Sequence, residues 1–247
     1  MSAAAEWRIE GEAGCLSCGP LVGRVEADGL GVRFLVATWR GVSSDAFGAF
    51  ITAGPGPRPP VIEIKERYVR GCDFVASYAR SADFPVAPQF YWRATQHAAQ
   101  AAVQIQMIVS VQTDLLDSQP EASINSFALE SRLFHASKLQ ADAFQEVAAS
   151  LSVDGGATRE HLFVFRNENL DLSYAQIVHP SDFVAVDIQL AESRPPLVSA
   201  TLFPESLEKG VIRRARISGW FLPAENDLQS AVELAQQFVD EPLPLTT

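Results

Sequence analysis

The sequence predicts a mainly β fold: two similar antiparallel β-units and a C-terminal amphipathic helix, arranged as paired sandwiches or as one large continuous sandwich. Three observations predict it, namely period-two alternation, an internal sequence match, and helical spacing near the C-terminus. Of the 247 residues, 47% are hydrophobic and 20% are charged. That composition is enough to bury a core, so disordered and collagen-like classes are excluded.

Period-two alternation is clearest from Val103 to Val111, where apolar residues at odd positions alternate with mostly polar ones. Weaker alternation covers 86–93, 162–165 and 184–190. Successive side chains of a strand point to opposite faces, so this pattern is typical of half-buried strands in an antiparallel sheet.

Connections between strands have their own signals. The dipeptides at 28–29 and 154–155 are both Asp-Gly, which favours hairpin turns because glycine readily adopts positive φ. The stretch 53–60 contains four prolines, which cannot donate to a ladder, and it is predicted to be a loop.

A helix is predicted after Pro223, because apolar residues recur there at helical spacing. They are Leu228, Ala231, Val232, Ala235, Phe238 and Val239. Asn226 is the expected N-cap, and Pro242 is expected to end the helix. We expect the helix to pack on its own sheet. A second helix is predicted over 139–149.

An internal duplication is suggested by the tetrapeptide Asp-Phe-Val-Ala, which begins at Asp73 and again at Asp182. Strand-like stretches at 103–111 and 211–221 follow at nearly the same offset. We therefore hypothesise a first β-unit over residues 1–120 and a second over 121–247, or one continuous domain containing both. The segment 117–121 is the most linker-like sequence between them.

Charge and segment composition limit the partners and the compartment. Lys and Arg number 19 against 30 Asp and Glu, giving a net charge of −11. A surface this acidic repels phosphate backbones and anionic lipids, so we expect no nucleic-acid and no membrane partner. Without a secretory-signal pattern, a long apolar run or a disulfide-like cysteine count, we expect a cytoplasmic protein.

Cys15 and Cys18 have the spacing with which two thiolates bind one zinc ion. A structural zinc site needs two further ligands, and the sequence has no second CxxC. Cys72 and one histidine are the available candidates. The preferred interpretation is two ordinary cysteines in a glycine-containing loop, so we expect no cofactor, with zinc as the alternative.

Asp73 and Asp182 occupy matching positions of the sequence match. Two carboxylates separated by roughly 5–10 Å are the catalytic pair of glycoside hydrolases. Both aspartates also lie at the start of a strand, where the side chain commonly accepts a backbone N–H. We prefer the turn interpretation.

Four residues are the candidate ligand-binding set. Tyr91 and Arg93 share one face of a predicted strand opposite Phe90 and Trp92, so they are available as a platform for a sugar or peptide. Arg214 and Arg216 share a face of another strand, where two guanidinium groups can clamp a carboxylate or phosphate. In each case the alternative is structural: cross-strand packing for the first pair, and ion pairs with nearby carboxylates for the second.

The sequence favours a non-catalytic ligand-binding or assembly protein, with a small molecule, a carbohydrate or a second copy of the chain as partner. Its unpaired strand edges are the reason to expect a homo-oligomer. The alternative is a carbohydrate-active or sugar-phosphate-processing enzyme on a sandwich scaffold. A zinc-stabilised module is a third possibility.

Overall fold

Two antiparallel sheets face each other across the hydrophobic core in the computed structural model. The structure describes residues 5–28, 31–40, 42–43, 47–53, 63–80, 86–118, 122–154, 160–191, 194–203 and 206–241. The predicted mainly β fold with a C-terminal helix is confirmed.

Sheet A is formed by strands from both halves of the chain. In spatial order these are β1 (Glu6–Glu10), β2 (Ala13–Cys18), β3 (Leu21–Asp28), β4 (Gly31–Trp39), β6 (Phe47–Ala53), β11 (Ala122–Ala128), β18 (Arg194–Leu202), β17 (Phe183–Ala191) and β14 (Leu151–Asp154), and β5 (Val42–Ser43) pairs with β4.

Sheet B is built in the same mixed way. In spatial order it contains β13 (Gln145–Glu146), β12 (Arg132–Ala136), β15 (Leu162–Asn167), β16 (Leu172–Val178), β19 (Ile212–Leu222), β10 (Ala102–Thr113), β9 (Val86–His97), β8 (Asp73–Tyr78) and β7 (Ile64–Arg70).

The two halves of the chain join within both sheets. Strand β6 pairs with β11 in sheet A, and β10 pairs with β19 in sheet B. Backbone hydrogen bonds therefore run continuously across the predicted division at residue 120. The division into units 1–120 and 121–247 stays a prediction.

The proposed duplication meets a topological difficulty. The Asp-Phe-Val-Ala match relates β8 in sheet B to β17 in sheet A. The match of the strand-like stretches 103–111 and 211–221 instead relates β10 to β19, which are neighbours in sheet B. One rigid superposition cannot move β8 to the other sheet and keep β10 in its own. At most one of the two correspondences is structural, and the duplication stays a prediction.

Strand β10 shows how the alternation produces the core. Val103, Ile105, Met107 and the following odd-numbered apolar residues are buried between the sheets. The other side of β10 is also largely buried: Gln104, Gln106 and Ser110 are each less than 10% exposed. The strand is thus not half-buried as its alternation suggests, because side chains of β9 and β19 flank it on both sides.

Helix α1 (Asp227–Asp240) confirms the predicted C-terminal helix. It packs on the outward side of sheet B, where Ala231, Leu234, Ala235 and Phe238 form a second apolar cluster with residues such as Trp220. The amphipathic stripe is therefore buried within the chain, as expected.

The start of α1 differs from its sequence signature. Asn226 has φ 57°, and its side chain makes no capping hydrogen bond. Asp227, one residue later, accepts the Leu228 backbone N–H at 2.7 Å instead. Pro242 lies outside the described residues.

The helix predicted over 139–149 is wrong. The segment forms a single 3₁₀ turn (Ala141–Ala143) followed by β13. Glu146 pairs with Phe134 of β12, and its carboxylate receives two hydrogen bonds from the Arg132 guanidinium. These contacts keep the chain extended at the edge of sheet B.

One of the two Asp-Gly hairpins is also wrong. The strands flanking 154–155 are β14 in sheet A and β15 in sheet B, so they do not pair with each other. Strands β3 and β4 do pair, with Asp28 opposite Gly31, although position 29 lies outside the described residues. The predicted loop at 53–60 also lies outside them, apart from Ala53.

Among the described residues, no helix combines the length and hydrophobicity needed to span a membrane.

Candidate ligand-binding site

The outward side of β7, β8, β9, β10 and β19, opposite the core, carries mostly polar side chains, and we call it the polar face. Its members include Glu66, Tyr68, Arg70, Asp73, Val75, Ser77, Gln89, Tyr91, Arg93, Gln104, Gln106, Ile108, Ser110, Arg214, Arg216 and Ser218. Antiparallel pairing arranges them in cross-strand rows, since directly paired residues point to the same side of a sheet.

The polar face brings the four predicted ligand-binding residues together. Ile108 of β10 pairs with Tyr91 on one side and with Arg216 on the other. Arg93 lies along β9 from Tyr91, and Arg214 lies along β19 from Arg216, on the same side of the sheet. The pairs predicted from separate strands thus belong to one surface, because β10 is the only strand between β9 and β19.

Arg93 is held by a carboxylate rather than stacked on Tyr91. Its Nε and Nη2 atoms donate to the two oxygens of Asp73 at 2.7 and 2.9 Å, and Asp73 is only 5% exposed. The hydrogen bond to Asp73 raises the pKa of Arg93. The bidentate pair fixes the guanidinium plane at the β8 side of the polar face.

Tyr91 is the aromatic residue at the centre of the polar face. Its hydroxyl donates to Gln89 Oε1 at 2.6 Å, and Gln89 Nε2 donates to Ser77 Oγ at 2.8 Å. The Arg70 guanidinium carbon lies 6.0 Å from the centre of the Tyr91 ring. Burial raises the pKa of Tyr91, while the charges of Arg70 and Arg214 act in the opposite direction. The raised pKa keeps the phenol neutral, with the Arg70 guanidinium close to its ring.

Arg216 is buried and pairs with a carboxylate, as the structural interpretation of the sequence expects. Asp182 Oδ2 accepts the Arg216 backbone N–H at 2.9 Å and its Nε at 3.4 Å. Arg216 is 3% exposed. Its guanidinium is thus committed to Asp182, whereas Arg214, two residues earlier, is exposed.

The two ion pairs account for the positions of the Asp73 and Asp182 carboxylates. Neither Asp73 nor Asp182 accepts only a local turn N–H: Asp73 binds Arg93, and Asp182 binds Arg216 from 34 residues away. The turn interpretation therefore missed their long-range partners. Strand register decides those partners, and the register is not visible in the local sequence.

Amide and hydroxyl groups complete the face towards the helix. Gln104 Nε2 donates to Ser218 Oγ at 2.8 Å, and His97 Nε2 is 2.9 Å from Gln104 Oε1. Gln106 lies on the same side of β10, between Arg93 and Ser218 in the pairing register. Sequence reasoning read these glutamines as the solvated side of a strand. A row of polar residues on a long central strand is the signal that could have identified them.

Helix α1 forms a wall beside the polar face. It covers the outward side of β15 and β16, and at its end His179 Nε2 lies 3.3 Å from the carbonyl oxygen of Val239. Burial lowers the pKa of His179. A neutral imidazole donates from Nε2 to that carbonyl, which ties the end of α1 to the turn before Asp182.

Two of the four arginines on the polar face retain free donors. Within the part of the chain that the structure describes, Arg70 and Arg214 form no salt bridge, in contrast to Arg93 and Arg216. The Arg70 guanidinium carbon lies 6.0 Å from the centre of the Tyr91 ring, and Arg214 lies on the same face across β10. The arrangement provides an aromatic ring, fixed amides and two available cations on one surface.

The two cysteines of the CxxC sequence lie on β2. Their separation of three places them on opposite faces of an extended strand. Cys18 belongs to the core, where burial raises the pKa of its thiol. No group of three or more metal-ligating side chains occurs among the described residues. The zinc hypothesis stays a prediction that this strand geometry does not favour.

No protein-family model matches the sequence, and no curated protein matches it. The fold is similar to several solved structures. A TPR-domain containing protein from Parabacteroides distasonis ATCC 8503 aligns with a TM-score of 0.54 and 10% identity over 86% of this chain and 47% of that chain. The Slr1438 protein from Synechocystis sp. PCC 6803 aligns with a TM-score of 0.51 and 8% identity over 90% and 96% of the two chains.

A GalM/aldose epimerase homologue from C. elegans is more distant, with a TM-score of 0.44 and 9% identity over 89% of this chain and 99% of that chain. At these identities the similarity extends to the fold alone. The polar face is therefore the feature of this chain that bears on its function.

Proposed function

We propose that the polar face binds a small carbohydrate carrying an acidic group, and that it does so without catalysing a reaction. The observation that carries this proposal is the position of Tyr91, a half-buried aromatic ring with Arg70 close to it and Arg214 on the same face across β10. Aromatic faces pack against the apolar side of sugar rings, while guanidinium groups donate to carboxylate or phosphate oxygens.

The fixed hydrogen bonds of the face support recognition of hydroxyl groups. Gln89 is held by Tyr91 and Ser77, and Gln104 is held by His97 and Ser218. Side chains oriented in advance lose little conformational entropy when a ligand binds. Such an amide array beside an aromatic ring suits a polyhydroxylated molecule.

The charge contrast supports an acidic ligand. The chain carries a net charge of −11, yet the described polar face combines four arginines with Asp73 and with Asp182 beside it. After the two ion pairs are formed, Arg70, Arg214 and the exposed carboxylate of Glu66 remain, so cations still outnumber carboxylates. A local positive potential on an acidic protein attracts anions that the rest of the surface repels.

The ion pairs favour binding over catalysis. A general acid or a nucleophile must present its carboxyl group to the substrate. Asp73 is hydrogen-bonded through both oxygens to Arg93, and Asp182 accepts from Arg216 and Ser181. These carboxylates therefore position arginines.

Calorimetric titration with glucuronate, glucose 6-phosphate and glucose tests the proposal and separates carboxylate from phosphate. We expect one of the two acidic sugars to bind at least tenfold more tightly than glucose, because a charge-assisted hydrogen bond is stronger than a neutral one. The variant Arg214→Gln should lower that affinity about tenfold. Arg8→Gln is the matched control, since Arg8 is exposed on β1 and forms its ion pair with Glu6, away from the polar face.

Equal binding of glucose and both acidic sugars would refute the role of the arginines. No binding of any of them at about 10 mM would refute the carbohydrate site. Chemical conversion of a bound sugar, followed by proton NMR, would instead support the enzyme alternative. Self-assembly stays a separate prediction, checked by light scattering against the chain mass of 26.8 kDa.

A further inference from the structure

A second concave site lies on the other sheet, away from the polar face. It is a cavity of about 470 Å³ on the outward side of sheet A, where β11, β18 and β17 run side by side. Phe127 pairs with Leu197, and Leu197 pairs with Gln189, so these three residues form one cross-strand row. The cavity volume falls within the range of small-molecule sites, roughly 300–1,000 Å³.

The walls of this cavity are mainly apolar. Phe127, Leu197 and Pro195 contribute hydrocarbon surface, and each is only partly buried. Removing the exposed part of such apolar surface from water when a ligand binds gains free energy. The body of a matching ligand is therefore apolar.

The polar groups at the cavity restrict the head group of the ligand. Ser150 is already engaged, since its hydroxyl accepts the Leu190 backbone N–H at 3.0 Å. Within the described residues, the side chains of Gln189 and Arg194 form no hydrogen bond or salt bridge. Both offer N–H donors, and Arg194 has no acceptor. The ligand group that complements these donors is an anion that accepts hydrogen bonds and donates none.

One nearby acid favours a single negative charge on the ligand. Asp187 lies two residues before Gln189 on the same side of β17, and Ser152 donates to it at 2.5 Å. Asp187 would repel a dianionic phosphate more strongly than a monoanionic carboxylate. The available cation at this end of the sheet is the single Arg194.

We propose that this cavity binds a small monocarboxylate with an apolar body, of the medium-chain fatty acid class. The chain lies against Phe127 and Leu197, and the carboxylate accepts hydrogen bonds from Arg194 and Gln189. The site is independent of the polar face, because the two surfaces lie on the outward sides of different sheets.

The test is calorimetric titration of the full chain with octanoate and with octanol, which share the alkyl chain and differ in charge. We expect octanoate to bind at least tenfold more tightly than octanol, and Arg194→Gln to remove that difference. Leu197→Asn should weaken both ligands. Arg8→Gln and Leu116→Asn are the matched controls, because Arg8 lies on β1 and Leu116 is 85% exposed outside the cavity.

Equal affinities for octanoate and octanol would overturn the assignment of the head group. Binding of octanoate that is unchanged in both Arg194→Gln and Leu197→Asn would overturn the assignment of the cavity. Absence of binding at about 10 mM would overturn the proposal as a whole. Thermal melting of each variant verifies that it is folded before its affinity is compared. Failure of this site would leave the carbohydrate proposal untouched, since the variants and probes differ.

Discussion

Replacing Asp227 with alanine should detach α1 from sheet B. The Asp227 carboxylate is 1% exposed and accepts hydrogen bonds from the Arg166 guanidinium, from Ser173 Oγ at 2.5 Å and from the Leu228 N–H at 2.7 Å. Its removal leaves Arg166, whose side chain is 21% exposed, without its carboxylate partner. Breaking such a pair from one side costs about 3–5 kcal/mol.

The expected result is a fall in the melting temperature of about 6–20 °C, since each kcal/mol shifts a domain of this size by about 2–4 °C. Urea unfolding followed by circular dichroism measures the free energy directly. The double variant Asp227→Ala, Arg166→Met should lose less than the single one, because it removes both charges of the pair. Glu6→Ala is the control: it removes an exposed ion pair with Arg8, which solvent screens, and should leave the melting temperature essentially unchanged.

A loss below about 1 kcal/mol in Asp227→Ala would refute this reasoning. So would a double variant less stable than the single one. Either result would mean that the apolar contacts of α1 with sheet B hold the helix without its N-terminal ion pair.

Three further predictions concern single groups. Burial and the neighbouring His161 lower the pKa of His135 from 6.5 to about 4, so the unfolded chain binds a proton before the folded one. Stability should therefore fall as the pH drops from about 6.5 to about 4, by at most about 3 kcal/mol, and the slope of stability against pH, measured by urea unfolding, should differ between the protein and His135→Gln in that range. Gly219→Ala should cost about 1–3 kcal/mol by urea unfolding, because an added Cβ would lie 2.7 Å from Tyr174 Cζ; a neutral result would show that the ring moves freely. Cys18 should resist iodoacetamide in the native protein at mildly alkaline pH, since burial raises its thiol pKa, and rapid modification seen by mass spectrometry would contradict its place in the core.

The elements of this fold are largely readable from local sequence. The alternation from Val103 to Val111 predicts β10, and the apolar spacing after Pro223 predicts α1. Both signals are periodic and extend over several residues, so they reflect which face of an element is buried. The helix prediction for residues 139–149 failed because a short sequence pattern does not reveal that Glu146 pairs with β12 at the edge of a sheet.

The candidate site depends on contacts that only the tertiary structure decides. The sequence identified Tyr91, Arg93, Arg214 and Arg216 as two separate pairs, and strand order then placed both pairs on one face, across β10. Which carboxylate each arginine binds also depends on contacts between distant strands, because the sequence offers several carboxylates for each arginine.

Local sequence sets the period of each element and the residue types that each face presents, because these follow from backbone geometry. Which arginines are neutralised and which remain available depends on register between distant strands. Asp73 binds Arg93 and Asp182 binds Arg216. The same register leaves Arg214 exposed on the face that carries Tyr91, and it forms the cavity next to Arg194. Register is set by the packing of the whole core, to which each local stretch contributes only a part.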